Sequence, residues 1–343
     1  MEKFDVIIIG AGPAGLNCAK HLAKFGKSVL ILEKNKIIGK KVCAGGIMPK
    51  TIEYLNLPLE LLERKFKKIC FNARFYKYDI KSNGYIIYTI DRVKLGNWQA
   101  KQLENTCVEI RKQSMVTSIE NNCVVVNNEQ KIKFEYLVGA DGASSITRNY
   151  LGIKNKKIII GIQYIIPTTK YKNLEMIYNS KMFHSGYLWI FPYKNSVCIG
   201  SGCDPKIFPV KKLKENFLKW LKKNAVDFNS GEFQAHTINY DFQGVKFKNI
   251  FLIGDASGMA SGLTGEGIHQ ALISGEEIAK MINNPNYKSH TLKDMIKTQK
   301  IHNKVLFLFN KSGIFRDLVF SLICLSFKIS VTAKKMKKTF IES

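Results

Sequence analysis

Hydrophobic positions along the chain change period several times, and each change predicts a different element. Phe4 to Ile9 is a continuous, β-branched run of the kind that lies buried on both faces of a parallel sheet. Asn17 to Phe25 spaces Cys18, Ala19, Leu22, Ala23 and Phe25 as one face of a helix, and Gly26 stops it. Ser28 to Leu32 is a second buried strand, completing β-α-β. Ile69 to Thr89 reads as extended segments with Gly84 at a turn, and Val93 to Leu103 as a helix. Val108 to Ile119 and Cys123 to Val126 read as strands joined through Asn121-Asn122, and Phe134 to Gly139 as another buried strand. From Ile158 to Tyr240 strands alternate around one helix near Lys211 to Lys223. Ile250 to Ile253 is again a buried strand, Gly265 to Ile282 a helix, and residues 286–343 are helical, apolar on one side and rich in lysine.

Composition changes this picture in two places. With 343 residues the chain can bury two lobes, and its 53 Lys and Arg against 27 Asp and Glu leave a net charge of +26. Such an excess either reflects lysine at ordinary solvated positions or suits a polyanionic partner, an anionic membrane surface before nucleic acid, because no nucleic-acid module accompanies the basic residues. The eight cysteines form no C-x-x-C pair and the six histidines show no ligand spacing, so neither a metal site nor a disulfide framework is expected. The N-terminus runs directly into a strand without a signal segment, which predicts a cytoplasmic protein, peripheral at most on the inner face of a membrane.

Candidate chemistry begins at Gly10-Ala11-Gly12-Pro13-Ala14-Gly15, a G-x-G-x-x-G between a strand and a helix. The first glycine permits the tight turn, the second lets backbone approach a pyrophosphate, and the third lets helix and strand pack closely. Ala14 and Gly15 open the helix whose N-terminus faces the phosphate charge. Glu33 closes the second strand, where a carboxylate can bind an adenosine ribose, and Lys34 follows it. Phe251-Leu252-Ile253-Gly254-Asp255 is a buried strand ending in an acid suited to a ribityl hydroxyl, and Gly265-Glu266-Gly267-Ile268 offers helix-start N–H groups to the electron-rich edge of a flavin ring. With Asp141-Gly142 and Ser145 to Arg148 these motifs predict FAD rather than NAD. The expected fold class is therefore α/β, a Rossmann-like FAD-binding domain of the glutathione-reductase and hydroxylase type. It comprises 1–157 and 241–285, with an inserted mixed-sheet substrate domain at 158–240 (and part of 66–90) and a short helical C-terminus at 286–343.

Two further segments carry a resemblance. Lys40-Lys41-Val42-Cys43-Ala44-Gly45-Gly46-Ile47 and Gly186-Tyr187-Leu188-Trp189-Ile190-Phe191-Pro192, followed by Gly200-Ser201-Gly202, resemble the geranylgeranyl reductase family of flavoproteins over Phe4 to Ile282. The resemblance implies that Cys43, Ala44 and Gly46 lie beside the flavin, that Arg92 serves the diphosphate and that backbone at Val116 meets the adenine. It further implies that Tyr187, Trp189, Phe191, Pro192 and Gly200 line a cavity for an apolar lipid substrate. The implied reaction is reduction of isoprenoid carbon–carbon double bonds by hydride from reduced FAD, with NADPH or a ferredoxin as electron donor. Ala44 departs from the family's usual glycine, and the C-terminal lobe is shorter than in archaeal members.

Cys43, Tyr187 and Trp189 are the candidate catalytic residues. A thiol beside Lys40 and Lys41 would have a lowered pKa, and aromatics two apart on a strand share one side. His184 is the outside candidate for proton donor. An FAD-dependent monooxygenase or halogenase acting on an apolar or aromatic small molecule is the alternative, and a flavin-bearing protein without turnover a second. Leu318 to Phe327 is apolar but too short to span a bilayer, which needs about 20 residues; with Arg316 and Asp317 before it and Lys328, Lys334, Lys335, Lys337 and Lys338 after it, it suits either attachment to an anionic surface or a core-packed terminal helix with a solvated tail.

Overall fold

The computed structural model describes residues 1–74 and 76–326. The chain divides into two compact units, residues 1–41, 92–158 and 238–300 in the first, and 42–91, 159–237 and 301 onward in the second. This partition differs from the expected one, and pairing is the reason. Lys68–Asn72 runs parallel to Leu174–Ile177 and brings Lys77–Lys81 with it into the second unit's sheet. Gly46–Ile47, Ile87–Ile90 and Leu62–Phe66 form a small sheet of their own, so all of 42–91 belongs there. Residues 286–300 instead join the first unit, where Gln299 donates to the carbonyls of Tyr240 and Ala260 at 3.4 and 3.2 Å.

In the first unit, the strands Ile250–Leu252, Gln130–Gly139, Lys3–Ile9, Val29–Glu33 and Val108–Lys112 lie side by side, each parallel to the next. Their residues alternate between two apolar clusters. Val6, Ile8, Ile31 and Val138 pack with Leu16, Leu22 and Ile278 of the helices Pro13–Lys24 and Ile268–Asn283. Ile7, Ile9, Leu30 and Leu137 pack with Val116, Ile119 and Val124 of a hairpin. Both faces are covered, which is why the strands read as unbroken hydrophobic runs.

Several boundaries move for local reasons. The first helix starts at Pro13, a residue pre-set for the first helical position. The helix expected from Gly265 begins at Ile268 because Gly265, with φ +72°, lies outside helical geometry. The expected strand Val108 to Ile119 is two strands, Val108–Lys112 and Val116–Glu120, broken at Gln113 with φ +56°.

In the second unit a seven-stranded sheet runs in the order Glu232–Asn239, Ile158–Pro167, Ser196–Cys203, Leu188–Pro192, Leu174–Ile177, Lys68–Asn72, Lys77–Lys81. The Leu188–Pro192 strand splits by parity. Leu188 and Ile190 pack with Leu213, Phe217 and Leu221 of the helix Val210–Lys223, whereas Trp189 and Phe191 pack with Ala44, Met48, Ile165 and Met176. At the C-terminus are the helices His290–Lys311 and Arg316–Ser326. Phe327 and the expected basic flank from Lys328 to Lys338 lie outside the described residues. Among the described residues no helix is long and apolar enough to cross a membrane.

Candidate functional site

Four strand ends of the first unit stand in one row: Leu32 pairs with Ile9, Ile9 with Gly139, and Gly139 with Leu252. The predicted cofactor motifs of this unit leave the sheet from that row, apart from Arg92, Val116 and Gly265 to Ile268. Glu33 follows Leu32, Gly10 to Gly15 follow Ile9, Asp141 and Gly142 follow Gly139, and Asp255 follows Leu252 by three residues. Carboxyl ends of parallel strands are where open α/β sheets bind ligands. Gly10 has φ +104°, and a Cβ there would lie 2.5 Å from the Ala140 oxygen, so only glycine makes this turn. At Gly12 the condition is reversed: an added Cβ would have no protein atom within 4 Å, leaving room for a phosphate at the start of the helix Pro13–Lys24.

Glu33 braces that turn. Its Oε2 accepts from the Ala11 N–H at 2.8 Å, and its Oε1 accepts from the backbone and side chain of Asn35 at 2.8 and 2.7 Å. Oε2, with one bond made, retains a lone pair for a ribose hydroxyl. The Ser114 N–H donates to the Glu33 carbonyl at 2.9 Å, which brings the strand opened by Val116 alongside, and Lys34 is exposed. Arg92 opens the helix Arg92–Lys101, and its Nε is buried without a partner, as is Oδ1 of Asp141. Burial raises the Asp141 carboxyl pKa, while Oδ2 accepts from the Thr147 N–H and hydroxyl, each at 3.0 Å. Buried polar atoms are normally paired, so an orphaned donor and an orphaned acceptor, with the open space over Gly12, fit a bound dinucleotide.

Asp255 is held from three sides. Its Oδ2 lies 2.7 Å from Nζ of Lys41, an ion pair that sets the Lys41 charge on this carboxylate. The Asp255 carbonyl accepts from Asn239 at 2.9 Å, and the next carbonyl, of Ala256, accepts from Arg148 at 3.2 Å. Arg148 is wholly buried and ion-paired with Asp241 at 3.3 Å; burial lowers its pKa and Asp241 opposes that. Sequence reasoning marked Ser145 to Arg148 as part of a motif but did not foresee Arg148, Asn239 and Asp241 as the frame of Asp255. Before the helix Ile268–Asn283, the Ser261 N–H donates to the Glu266 carbonyl and the Gly265 N–H to the Ser261 carbonyl, at 2.9 and 3.0 Å. That closed loop delivers Gly267 and Ile268 to a helix start whose first N–H groups lack intrahelical partners.

The second unit holds the candidate catalytic residues. The Cys43 Sγ accepts from the Gly45 N–H at 3.3 Å, and the Cys43 carbonyl accepts from Gln163 at 3.3 Å. Tyr193 donates its hydroxyl to the Ala44 carbonyl at 2.9 Å, and Gly46 lies so close to the Phe191 ring that a Cβ would come within 2.7 Å of it. Trp189 donates its indole N–H to Cys198 at 3.4 Å, and Cys198 donates to Gln163 at 3.2 Å. One chain of contacts thus joins Trp189 to the backbone of Cys43. Burial pushes the Cys198 thiol up to about 12, so it stays protonated.

Tyr187 sits one residue before its strand, with its ring 6.1 Å from that of Trp189 and edge-on to it. Gly200 lies beneath the indole, where a Cβ would overlap the ring. Phe191 and Pro192 are buried, and the Pro192 carbonyl accepts from Thr89 at 2.9 Å; they brace the Cys43 loop and the neighbouring strand. Burial pushes the Tyr187 hydroxyl up to about 12. For His184, burial and then Arg316 lower the pKa, which leaves a neutral ring at pH 7 and a weak case as proton donor.

Residues 3–280 match the family described as FAD binding domain. A digeranylgeranylglycerophospholipid reductase of Methanococcus vannielii is 28% identical over 85% of this chain and 80% of its own length. A geranylgeranyl diphosphate reductase of Rhodobacter capsulatus is 27% identical over 81% of this chain and 74% of its own. Among solved structures, a geranylgeranyl bacteriochlorophyll reductase-like protein of Thermoplasma acidophilum superposes with a TM-score of 0.81 at 19% identity, covering 99% of this chain and 97% of that one.

Proposed function

The chain belongs to the FAD-binding domain family and is an FAD-dependent oxidoreductase, and we propose that it reduces carbon–carbon double bonds of an isoprenoid chain in a prenyl lipid or prenyl diphosphate. The observation that carries this reading is the apolar shelf of the second unit, Trp189 laid over Gly200 with Tyr187 beside it and a hydrogen-bonded tie to the Cys43 loop. The relatives named for geranylgeranyl groups support the same substrate class.

On this reading Gly10, Gly12, Glu33, Arg92, Asp141, Asp255 and the Gly265–Ile268 turn hold the cofactor. Bound and reduced, FAD supplies the hydride that an isolated double bond takes up together with a proton. Such a bond is a poor acceptor, so the site must keep water away and present the proton at one carbon. Trp189 and its apolar neighbours exclude water. Tyr187, protonated throughout the physiological range because of its burial, and the Cys43 thiol are the groups able to give the proton. The electron donor is NADPH or a ferredoxin, and the +26 charge favours an acidic ferredoxin. A prenyl lipid would be met at an anionic membrane surface.

The test is anaerobic reduction of the purified flavoprotein by NADPH, NADH or ferredoxin, followed by mass spectrometry of added prenyl lipids and prenyl diphosphates. A gain of two hydrogens per double bond is expected. Oxygen consumption that depends on an aromatic substrate, with the prenyl compounds unchanged, would replace this reading with that of a monooxygenase or halogenase.

A further inference from the structure

Residues 301–318 carry a surface unlike the rest of the second unit. Ile301, Phe307, Leu308, Ile314, Phe315 and Leu318 are all exposed, Leu308 to 66%, Phe315 to 60% and Ile314 to 90%. Isolated exposed apolar residues need no explanation, whereas six within eighteen positions do. On the helix His290–Lys311, residues 301, 304, 307, 308 and 311 fall on one stripe, so Ile301, Phe307 and Leu308 alternate with Lys304 and Lys311. The Lys311 ammonium stands 4.6 Å from the centre of the Phe307 ring.

The opposite side of the same segment is already satisfied. Leu306 and Phe309 are buried, and the Phe309 ring lies 5.2 Å from that of Tyr178, on which Phe320 stacks at 4.3 Å. Asp317 accepts from the Ser180 N–H and hydroxyl at 3.0 and 2.8 Å, and Arg74 lies 3.7 Å away. Asp317 is the one acid between 301 and 318 and it is buried, so the outward stripe is apolar and cationic with no carboxylate.

We propose that this stripe seats the protein on an anionic phospholipid bilayer, with Ile314 and Phe315 entering the boundary between headgroups and acyl chains and Lys304 and Lys311 meeting lipid phosphates. An acidic protein surface would pair the lysines but leave Ile314 against polar groups. A second copy of a +26 chain would set lysine against lysine. A bilayer meets both demands, because apolar area and cationic charge each add to interfacial binding. The proposal needs no particular substrate, since attachment is read without turnover and stands or falls apart from the reductase assignment.

The test is flotation of the full-length holoprotein with vesicles of phosphatidylcholine and phosphatidylglycerol, and with phosphatidylcholine alone. The wild type is expected to float with the mixed vesicles and far less with the neutral ones. Substituting Ile314→Asp with Phe315→Asp should lower partition at least ~10-fold, and Lys304→Glu with Lys311→Glu ~5-fold or more, both with flavin content and melting temperature unchanged. Ile314→Trp should add a blue-shifted emission on mixed vesicles that brominated acyl chains quench. A wild type that stays with the soluble fraction overturns the proposal, as does an aspartate pair that floats undiminished. Dissociation of a wild-type dimer by the aspartate pair, seen in sedimentation without lipid, would assign the stripe to a second copy instead. Vesicle binding that appears only after removal of residues 327–343 would assign it to the chain's own tail.

Discussion

Lys41 holds the Asp255 carboxylate through an ion pair of 2.7 Å, with Asp255 the more enclosed of the two. On the proposed reading, a carboxylate fixed in this way would meet a ribityl hydroxyl in one orientation, its charge balanced before the cofactor arrives. Lys41→Met should leave the fold intact and weaken FAD binding by about tenfold, the scale of one hydrogen bond to a charged group. Asp255→Ala should weaken it more. Titration of the deflavinated protein, followed at about 450 nm where bound flavin absorbs, reads both. Equal affinity of Lys41→Met and wild type would show that Asp255 needs no such support.

Gly12 and Gly200 separate cofactor binding from folding. A methyl group at Gly12 meets no protein atom within 4 Å. Gly12→Ala should therefore melt like the wild type when both are stripped of flavin, yet bind FAD at least ~10-fold more weakly, because the methyl takes the space a pyrophosphate needs. Gly200→Ala instead drives a methyl into the Trp189 indole and should cost about 1–3 kcal/mol of stability in the flavin-free protein, as overpacking does. If Gly12→Ala destabilises the flavin-free protein while leaving affinity unchanged, the open space over that turn is not the phosphate site.

The cofactor motifs were legible because each is local. A strand end, a glycine suited to a tight turn and a following helix can be read from a dozen consecutive residues, and Gly10, Asp141 and Asp255 follow, and Glu33 closes, neighbouring parallel strands. What holds those residues was not legible, because the partners are remote in sequence: Lys41 reaches Asp255, Asn239 reaches back to Asn155, and Gln163 links Cys198 to Cys43. The same reason explains the unit boundaries. Lys68–Asn72 joins a strand about a hundred residues later, at Leu174–Ile177, and no period in either segment announces that pairing.

Arg148 gives a test of those remote ties. Its guanidinium is 1% exposed, and it donates to the carbonyls of Ala256 and Asp241 as well as to the Asp241 carboxylate. Arg148→Met leaves that carboxylate buried beside an apolar side chain and should cost about 3–5 kcal/mol in urea unfolding. Arg148→Lys should recover little of it, since an ammonium cannot reach three acceptors with the spread of a guanidinium. Adding Asp241→Asn to Arg148→Met should cost less than the sum of the two single changes. Simple additivity would mean that the two residues do not act as a pair.

One property of Tyr187, the raising of its hydroxyl pKa to about 12 by burial, sets its effect on stability and lets its proposed role in proton supply be tested. In the unfolded chain a tyrosine ionises near ~10. Below that pH both states hold the proton and the hydroxyl contributes no pH dependence. Between about 10 and 12 the unfolded state releases its proton while the folded state keeps it, so stability falls as pH rises through this window. Tyr187→Phe should therefore lose less stability than the wild type between pH 9 and pH 11, measured as the change in urea midpoint, with the two proteins closer in slope below pH 9. The same substitution separates the roles open to the residue in turnover. If Tyr187 gives the proton, the single-turnover rate of flavin reoxidation by a prenyl substrate should drop about 100-fold or more, within the range for a general acid, while the dissociation constant of the substrate changes little. Should Tyr187→Phe keep the wild-type reoxidation rate, the proton comes from elsewhere, and Cys43→Ser becomes the variant that has to lose it.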